Sequence, residues 1–233
     1  MSGRVTPIVA LDVGNSAAAL DVVDELGDLC RFFKVGSELY TAEGASVVHA
    51  VRGRGASVFL DLKFHDIPNT VRGAVRSAAT LGVQLLTVHA SGGRAMMEAA
   101  VAAAHDVASD CGILAVTVLT SMDADAVSDV WGRRVADVEA EVLRLAQLAR
   151  DAGVHGIVCS GREAAAVRAK FGDQVAILVP GVRLTSGDRQ DQARVVTPSE
   201  AAAAGARYIV VGRAVTGAKS PRCAMNEVLS DLP

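Results

Sequence analysis

The chain has 233 residues, a formal net charge of −3 and an isoelectric point near 5.9; 51% of its residues are hydrophobic but only 3% aromatic. That length holds one large α/β domain or two small ones, and the mild acidity gives no support to nucleic-acid or membrane-surface binding. With a mean hydropathy of +0.33, a core of Ala, Val and Leu suits close packing of helices on a sheet.

The first seven residues, Met1 to Pro7, contain no apolar run of the kind a signal peptide needs. Apolar segments suited to buried strands follow at residues 7–13, 32–36, 57–62, 85–89, 113–120, 156–160, 175–180 and 208–212. Helical periodicity falls between them at 17–26, 37–52, 70–81, 94–107, 134–152, 162–171 and 198–204, with a last short stretch at 223–229. One β-then-α unit thus recurs from end to end. Strict alternation implies a parallel sheet, and eight units imply a closed (β/α)8 barrel, the TIM-barrel form of the α/β class. No linker or change of composition interrupts residues 1–233, so one catalytic-sized domain is expected. The apolar run from Ile113 to Leu119, broken only by Thr117, is far too short to span a bilayer. Cys30, Cys111, Cys159 and Cys223 stand apart, without zinc or redox spacing, and suggest a reducing cytoplasm.

In such a barrel, sites gather at the C-terminal ends of the strands. Polar residues interrupting the apolar strands there are Asp12, Lys34, Asp61, Lys63, His89 and Thr120, followed by Pro180-Gly-Val-Arg183 and by Gly212-Arg213. Gly212 lets backbone approach an anion and Arg213 offers a planar fork; after an eighth strand, that pair suits a phosphate. Taken alone, Gly-Arg is a weak signal and is more often a turn with a solvated base. The polar stretch 183–196 has the length of a lid or binding loop, with Gly187 as its hinge, or of a plain surface loop.

The densest chemistry lies in Asp61-Leu62-Lys63-Phe64-His65-Asp66-Ile67-Pro68-Asn69-Thr70. Strand alternation puts Phe59, Asp61 and Lys63 on one face and Leu60 and Leu62 on the other. Asp66 then opens a helix whose apolar face is Val71, Ala74, Val75, Ala78 and Leu81, with Pro68 in its first turn. On these residues alone, Asp61 and Lys63 admit a structural ion pair, and Asp66 a helix cap.

The string from Asp61 to Thr70 resembles the signature of the orotidine 5'-phosphate decarboxylases. Leu-Asp12-Val, Phe-Lys34-Val-Gly, Thr117-Val-Leu-Thr-Ser121, Pro180-Gly-Val-Arg183, Asp191-Gln192 and Val211-Gly-Arg213 extend the likeness over nearly the whole chain, in the family's order. The resemblance implies loss of CO2 from C6 of orotidine 5'-monophosphate to give uridine 5'-monophosphate, with no metal and no cofactor. It makes Lys63 the group that stabilises charge at C6 and protonates it, with Lys34, Asp61 and Asp66 completing a Lys-Asp-Lys-Asp array. It gives Asp12 the ribose hydroxyls and Thr120 and Ser121 the pyrimidine edge. Substrate contacts are implied along the whole run Asp61 to Thr70 and at Pro180. Arg183, Gln192, Gly212 and Arg213 would grip the phosphate, with Gln190 competing for the place of Gln192. Asp66, Ile67 and Thr70 would reach into the site of a second subunit, implying a homodimer.

Other residues are assigned no chemistry. Phe64 and His65 are expected to pack beneath the loop, His89 to give a supporting hydrogen bond, Met96 and Met97 to pack, and Trp131 to Arg134 to begin a surface helix. The five His form no metal-binding cluster. Two rival functions remain. One is a magnesium-dependent sugar-phosphate decarboxylase or aldolase, which shares Asp-x-Lys-x-x-Asp but not the Ile-Pro-Asn-Thr extension. The other is a non-catalytic phosphate-binding barrel, which has no use for the charged array.

Overall fold

Eight parallel strands, each hydrogen-bonded to the next in sequence, close when β1 (Thr6–Ala10) pairs with β8 (Tyr208–Val211). The structure, a computed structural model, describes residues 5–107, 110–184 and 196–233. Between β1 and β8 run β2 (Phe32–Gly36), β3 (Ser57–Phe64), β4 (Leu85–His89), β5 (Gly112–Val116), β6 (Gly156–Val158) and β7 (Ala176–Val182). The helices are α1 (Ser16–Leu26), α2 (Ser37–Glu43), α3 (Ala45–Gly53), α4 (Pro68–Ala79), α5 (Arg94–Val107), α6 (Ala124–Trp131) and α7 (Val138–Asp151). They continue with α8 (Gly161–Phe171), α9 (Pro198–Ala203), α10 (Arg213–Thr216) and α11 (Pro221–Asp231). The expected closed (β/α)8 barrel is the observed one. Among the described residues, no helix is long and apolar enough to cross a membrane.

Strand alternation divides the core in two. Inside the barrel lie Ile8, Ala10, Phe59, Leu85, Leu114, Val116, Val158, Leu178 and Val210. Outward-facing residues such as Val9, Phe33, Leu60, Leu86 and Ile209 pack against the helices with Leu26, Val75, Met96, Met97 and Leu145. Met96 and Met97 are fully buried packing residues, as expected. Each fully buried side chain of this size contributes about 1.5–3 kcal/mol, and small residues let the helices lie close.

Several element boundaries differ from the periodicity reading, and three of the differences have a clear local reason. The helix expected over 37–52 is two helices, because Gly44 adopts φ 63 and ends α2 with its N–H on the Tyr40 carbonyl. The strand expected over 113–120 ends at Val116; an unforeseen helix, α6, then starts where the Asp123 carboxylate accepts from the Ala126 N–H. Trp131 therefore ends a helix rather than beginning one, and Gly132 to Arg134 lie in the link after it. Gly132 caps α6 in the left-handed region, and α7 starts only at the Asp137 cap.

The α6–α7 link is fastened by Glu141, a buried carboxylate that accepts from Arg133 at 2.6 Å and from Arg144. Burial works against its charge, but the hydrogen bonds from Arg144 and Arg133 outweigh burial and hold the carboxyl below its ordinary range. A depressed folded-state value gives stability that is present above the unfolded carboxyl range and lost as pH falls through the folded one. Glu141→Gln is accordingly expected to cost about 1 kcal/mol at neutral pH, lowering Tm by roughly 2–4 °C. Thermal melts of the two proteins should converge below the carboxylate range.

Candidate active site

The C-terminal mouth of the barrel carries a chain of alternating charges. From β2, the Lys34 ammonium donates to Asp12 Oδ1 at 2.8 Å and stands 3.9 Å from Asp61 Oδ2. From β3, Lys63 Nζ contacts both Asp61 oxygens, at 2.9 and 2.8 Å. Asp61 is only 9% exposed, so this carboxylate leaves water with cationic partners on two sides. A Cβ built on Gly36 would lie 2.9 Å from Lys34 Nζ, so a side chain there would push the ammonium from this position.

Local backbone explains how β3 presents its two charges. The β3–β4 register shifts between Leu60 and Phe64, and Lys63 within that irregularity has φ 50. β3 thus continues two residues beyond the expected end at Leu62. Alternation still directs Phe59 and Asp61 inward and Leu60, Leu62 and Phe64 toward the helices, where Leu62 and Phe64 pack against the outer core.

A cavity of about 210 Å³ opens between these charges and the barrel interior. Lys34, Asp61, Lys63 and Thr120 give its polar side, while Phe59, Val116, Val158, Leu178, Pro180 and Val210 form apolar walls. A larger hollow, about 520 Å³, lies at the opposite end of the barrel among Thr6, Phe32, Gln84 and Tyr208. It has no comparable charge cluster, so chemistry rather than size selects the smaller cavity.

The cavity brings together only part of the expected site. Asp12, Lys34, Asp61, Lys63, Thr120 and Pro180 converge on this mouth. Leu62 and Phe64 do not line the cavity, because they belong to the helix-facing side of β3. His65, Asp66, Ile67, Pro68, Asn69 and Thr70 are exposed, since the chain turns outward after β3. Asp66 is not the helix cap: that position is Ile67, and among the described residues the Asp66 carboxylate accepts the adjacent Ile67 N–H, at 2.6 Å. Within one protomer, then, the expected array is complete through Lys63 and lacks Asp66. His65 is exposed and does not pack beneath the loop; its ring lies 5.5 Å from that of His89. Burial first, and then the neighbouring His65 and Lys63, hold His89 below the ordinary imidazole range, with Asp61 opposing.

On the other side of the mouth, Gly181 takes φ 70, a conformation that favours glycine, and the β7–β8 register shifts between Val179 and Val182. Arg183 follows; its Nε is buried and has no hydrogen-bond partner among the described residues. The Arg183 N–H donates to the Val196 carbonyl at 3.0 Å, joining the flanks of the expected lid. Gln192, Gln190 and Gly187 lie outside the described residues. Gly212 precedes α10, whose first residue is the exposed Arg213; Ser121 is also exposed.

Two parts of the site escaped the sequence reading. The apolar walls look like ordinary strand residues, and only barrel closure makes them face one cavity. Thr87 is fully buried and bonds to both Asp61 and Lys63; its one sequence signal is a hydroxyl interrupting Leu85-Leu86-Thr87-Val88.

Residues 6–228 match the family model described as "Orotidine 5'-phosphate decarboxylase / HUMPS family". A protein named orotidine 5'-phosphate decarboxylase from Moorella thermoacetica is 47% identical over 230 residues, spanning 97% of this chain and 91% of its own. One of the same name from Alkalilimnicola ehrlichii is 48% identical over 225 residues, spanning 97% and 95%. The crystal structure of orotidine 5'-phosphate decarboxylase from Lactobacillus acidophilus superposes with a TM-score of 0.86 at 35% identity, covering 98% of this chain and 99% of that one.

Proposed function

The chain belongs to the orotidine 5'-phosphate decarboxylase / HUMPS family, and from that premise we propose that its lysine–aspartate cluster carries out the reaction. The activity is that of a carboxy-lyase: orotidine 5'-monophosphate loses CO2 and becomes uridine 5'-monophosphate, in pyrimidine biosynthesis. The observation that carries the assignment of roles is the unbroken run Asp12–Lys34–Asp61–Lys63 at the mouth of an apolar-walled cavity.

The bond from C6 to the carboxylate breaks heterolytically, CO2 departs, and the electron pair stays on C6 in the plane of the ring. The π-system cannot delocalise that pair, so stabilisation has to be electrostatic. The Lys63 ammonium supplies it and then gives C6 a proton, which solvent restores to the amine. Asp61 and Lys34 support the reaction through position and charge: Asp61 holds the Lys63 ammonium, and Lys34 faces Asp61 from its other side. The apolar walls take the pyrimidine, Asp12 the ribose, and Thr120 with Ser121 the ring edge. Pro180 closes the side of the cavity. Arg183, Gln192, Gly212 and Arg213 bind the phosphate, and the unsatisfied Arg183 Nε supports this by having a donor to spare. Binding energy from that remote group serves lid closure and the transition state.

The working unit is a homodimer of one-domain chains in the cytoplasm, with Asp66, Ile67 and Thr70 of each chain completing the other's site. Ile67, 67% exposed, supports this as an apolar residue that a partner would cover. The neighbouring contacts proposed for His65, Pro68 and Asn69 are formed in that assembly, whereas Leu62 and Phe64 stay packed toward the helices.

Ultraviolet absorbance during incubation with orotidine 5'-monophosphate tests the reading. Conversion is expected to be unchanged by a strong chelator. No turnover of this nucleotide, together with magnesium-dependent turnover of a sugar phosphate, would overturn it in favour of the metal-using relatives.

A further inference from the structure

Thr87 lies on β4, beside the irregular end of β3, and is fully buried. Its Oγ1 accepts the Lys63 backbone N–H at 2.9 Å and stands 2.9 Å from Asp61 Oδ1. A hydroxyl has one proton to donate. Because the N–H uses the oxygen as acceptor and an ionised carboxylate can only accept, that proton points at Asp61.

The two contacts meet unusual demands. Among the described residues, Lys63 is the only non-glycine with positive φ. A long side chain in that region is unfavourable and persists only where its surroundings hold it. The register shift between Leu60 and Phe64 interrupts the regular ladder, and a side-chain oxygen takes the Lys63 N–H there. Asp61, for its part, holds the Lys63 ammonium through both oxygens. When the ammonium turns toward a substrate, the Thr87 hydroxyl remains on Oδ1 and stops the carboxylate from following it.

We propose that Thr87 is a positioning residue for the decarboxylation: one hydroxyl sets the Lys63 backbone and the Asp61 carboxylate together, and so aims the ammonium at the reacting carbon. This rests on the reading of Lys63 and Asp61 as the reacting pair. Distance supports it, since Lys34 approaches only the other Asp61 oxygen and no closer than 3.9 Å.

The experiment compares Thr87→Val, which keeps the shape and removes the hydroxyl, with Thr87→Ser, which keeps the hydroxyl. Steady-state kinetics with orotidine 5'-monophosphate are read beside melting curves, with Lys63→Ala as a control. Thr87→Val is expected to lower kcat about 30-fold or more with KM changed less than about threefold, the size expected for losing a hydrogen bond to a charged group. Thr87→Ser should recover at least about tenfold of that loss. If Thr87→Val does not fold, Thr87→Ala takes its place under the same criteria. A folded Val or Ala variant with kcat within threefold of the parent overturns the inference, as does a Ser variant as impaired as Val. If Lys63→Ala itself stays active, the failure belongs to the assignment of the reacting pair and not to Thr87 alone.

Discussion

Lys63→Ala is expected to lower kcat/KM for orotidine 5'-monophosphate by at least about 10⁴-fold, with Tm within a few degrees of the parent. Energetics separate the two readouts. The Lys63 side chain is 37% exposed, so truncating it removes little buried apolar contact. Its ion pair with Asp61 is partly solvated, and Asp61 keeps the Thr87 hydroxyl and Lys34 after the change. Catalysis has no such reserve. Among the described residues, Lys34 and Lys63 are the cations lining the cavity, and Lys34 is engaged by Asp12 on the far side of Asp61, which leaves Lys63 as the one placed to meet charge at C6. Lys63→Arg sharpens the test: it keeps positive charge but holds its proton too tightly to deliver it, and brings a broad fork to a site built for an ammonium. It should remain at least about 10³-fold impaired. Recovery of activity by Arg would show that charge alone suffices; near-parental activity of the folded Ala variant would remove Lys63 from the chemistry.

The legible part of this molecule is the part written in periodicity and in strand ends. Eight apolar segments alternating with helical ones dictate the closed barrel, and the C-terminal rule then brings Asp12, Lys34, Asp61 and Lys63 to one mouth. What eluded the sequence depends on contacts between distant residues or on single-residue backbone states. Lys63 at φ 50 has no signal in its residue type, since lysine carries no preference for that region. Thr87 reads as a β-branched strand residue until β3 is laid beside it. Gly44 divides a helix that hydrophobic spacing would run straight through, because spacing reports faces and not backbone handedness. Asp66 has the composition of a cap and the position of one, yet the chain turns so that Ile67 occupies the cap. Its orientation toward solvent is the one that the proposed dimer would use.

That second chain supplies the other large expected effect. Lys63→Ala and Asp66→Ala should each be nearly inactive alone, and their equimolar mixture, unfolded and refolded together, should regain about a quarter of parental activity. In one protomer the Asp66 carboxylate is engaged by the Ile67 N–H and faces solvent, while Lys63 Nζ lies on Asp61. If each site takes Lys63 from one chain and Asp66 from the other, a hybrid dimer has one site with both residues damaged and one with both intact. Random pairing makes half the dimers hybrids, and half the sites in each hybrid are whole. The expected quarter therefore follows from two-fold symmetry alone, without any assumption about how much Asp66 contributes, provided each parent variant is nearly dead. Mixing the folded variants without unfolding should regain activity only as fast as subunits exchange, which separates shared sites from trace contamination. A refolded mixture that stays at the mean of its two components would show that Asp66 acts within its own chain or not at all. The exposed Ile67 offers an independent reading, because an Ile67→Asp chain should weaken pairing and lose activity on dilution while its own Asp12–Lys34–Asp61–Lys63 run remains intact.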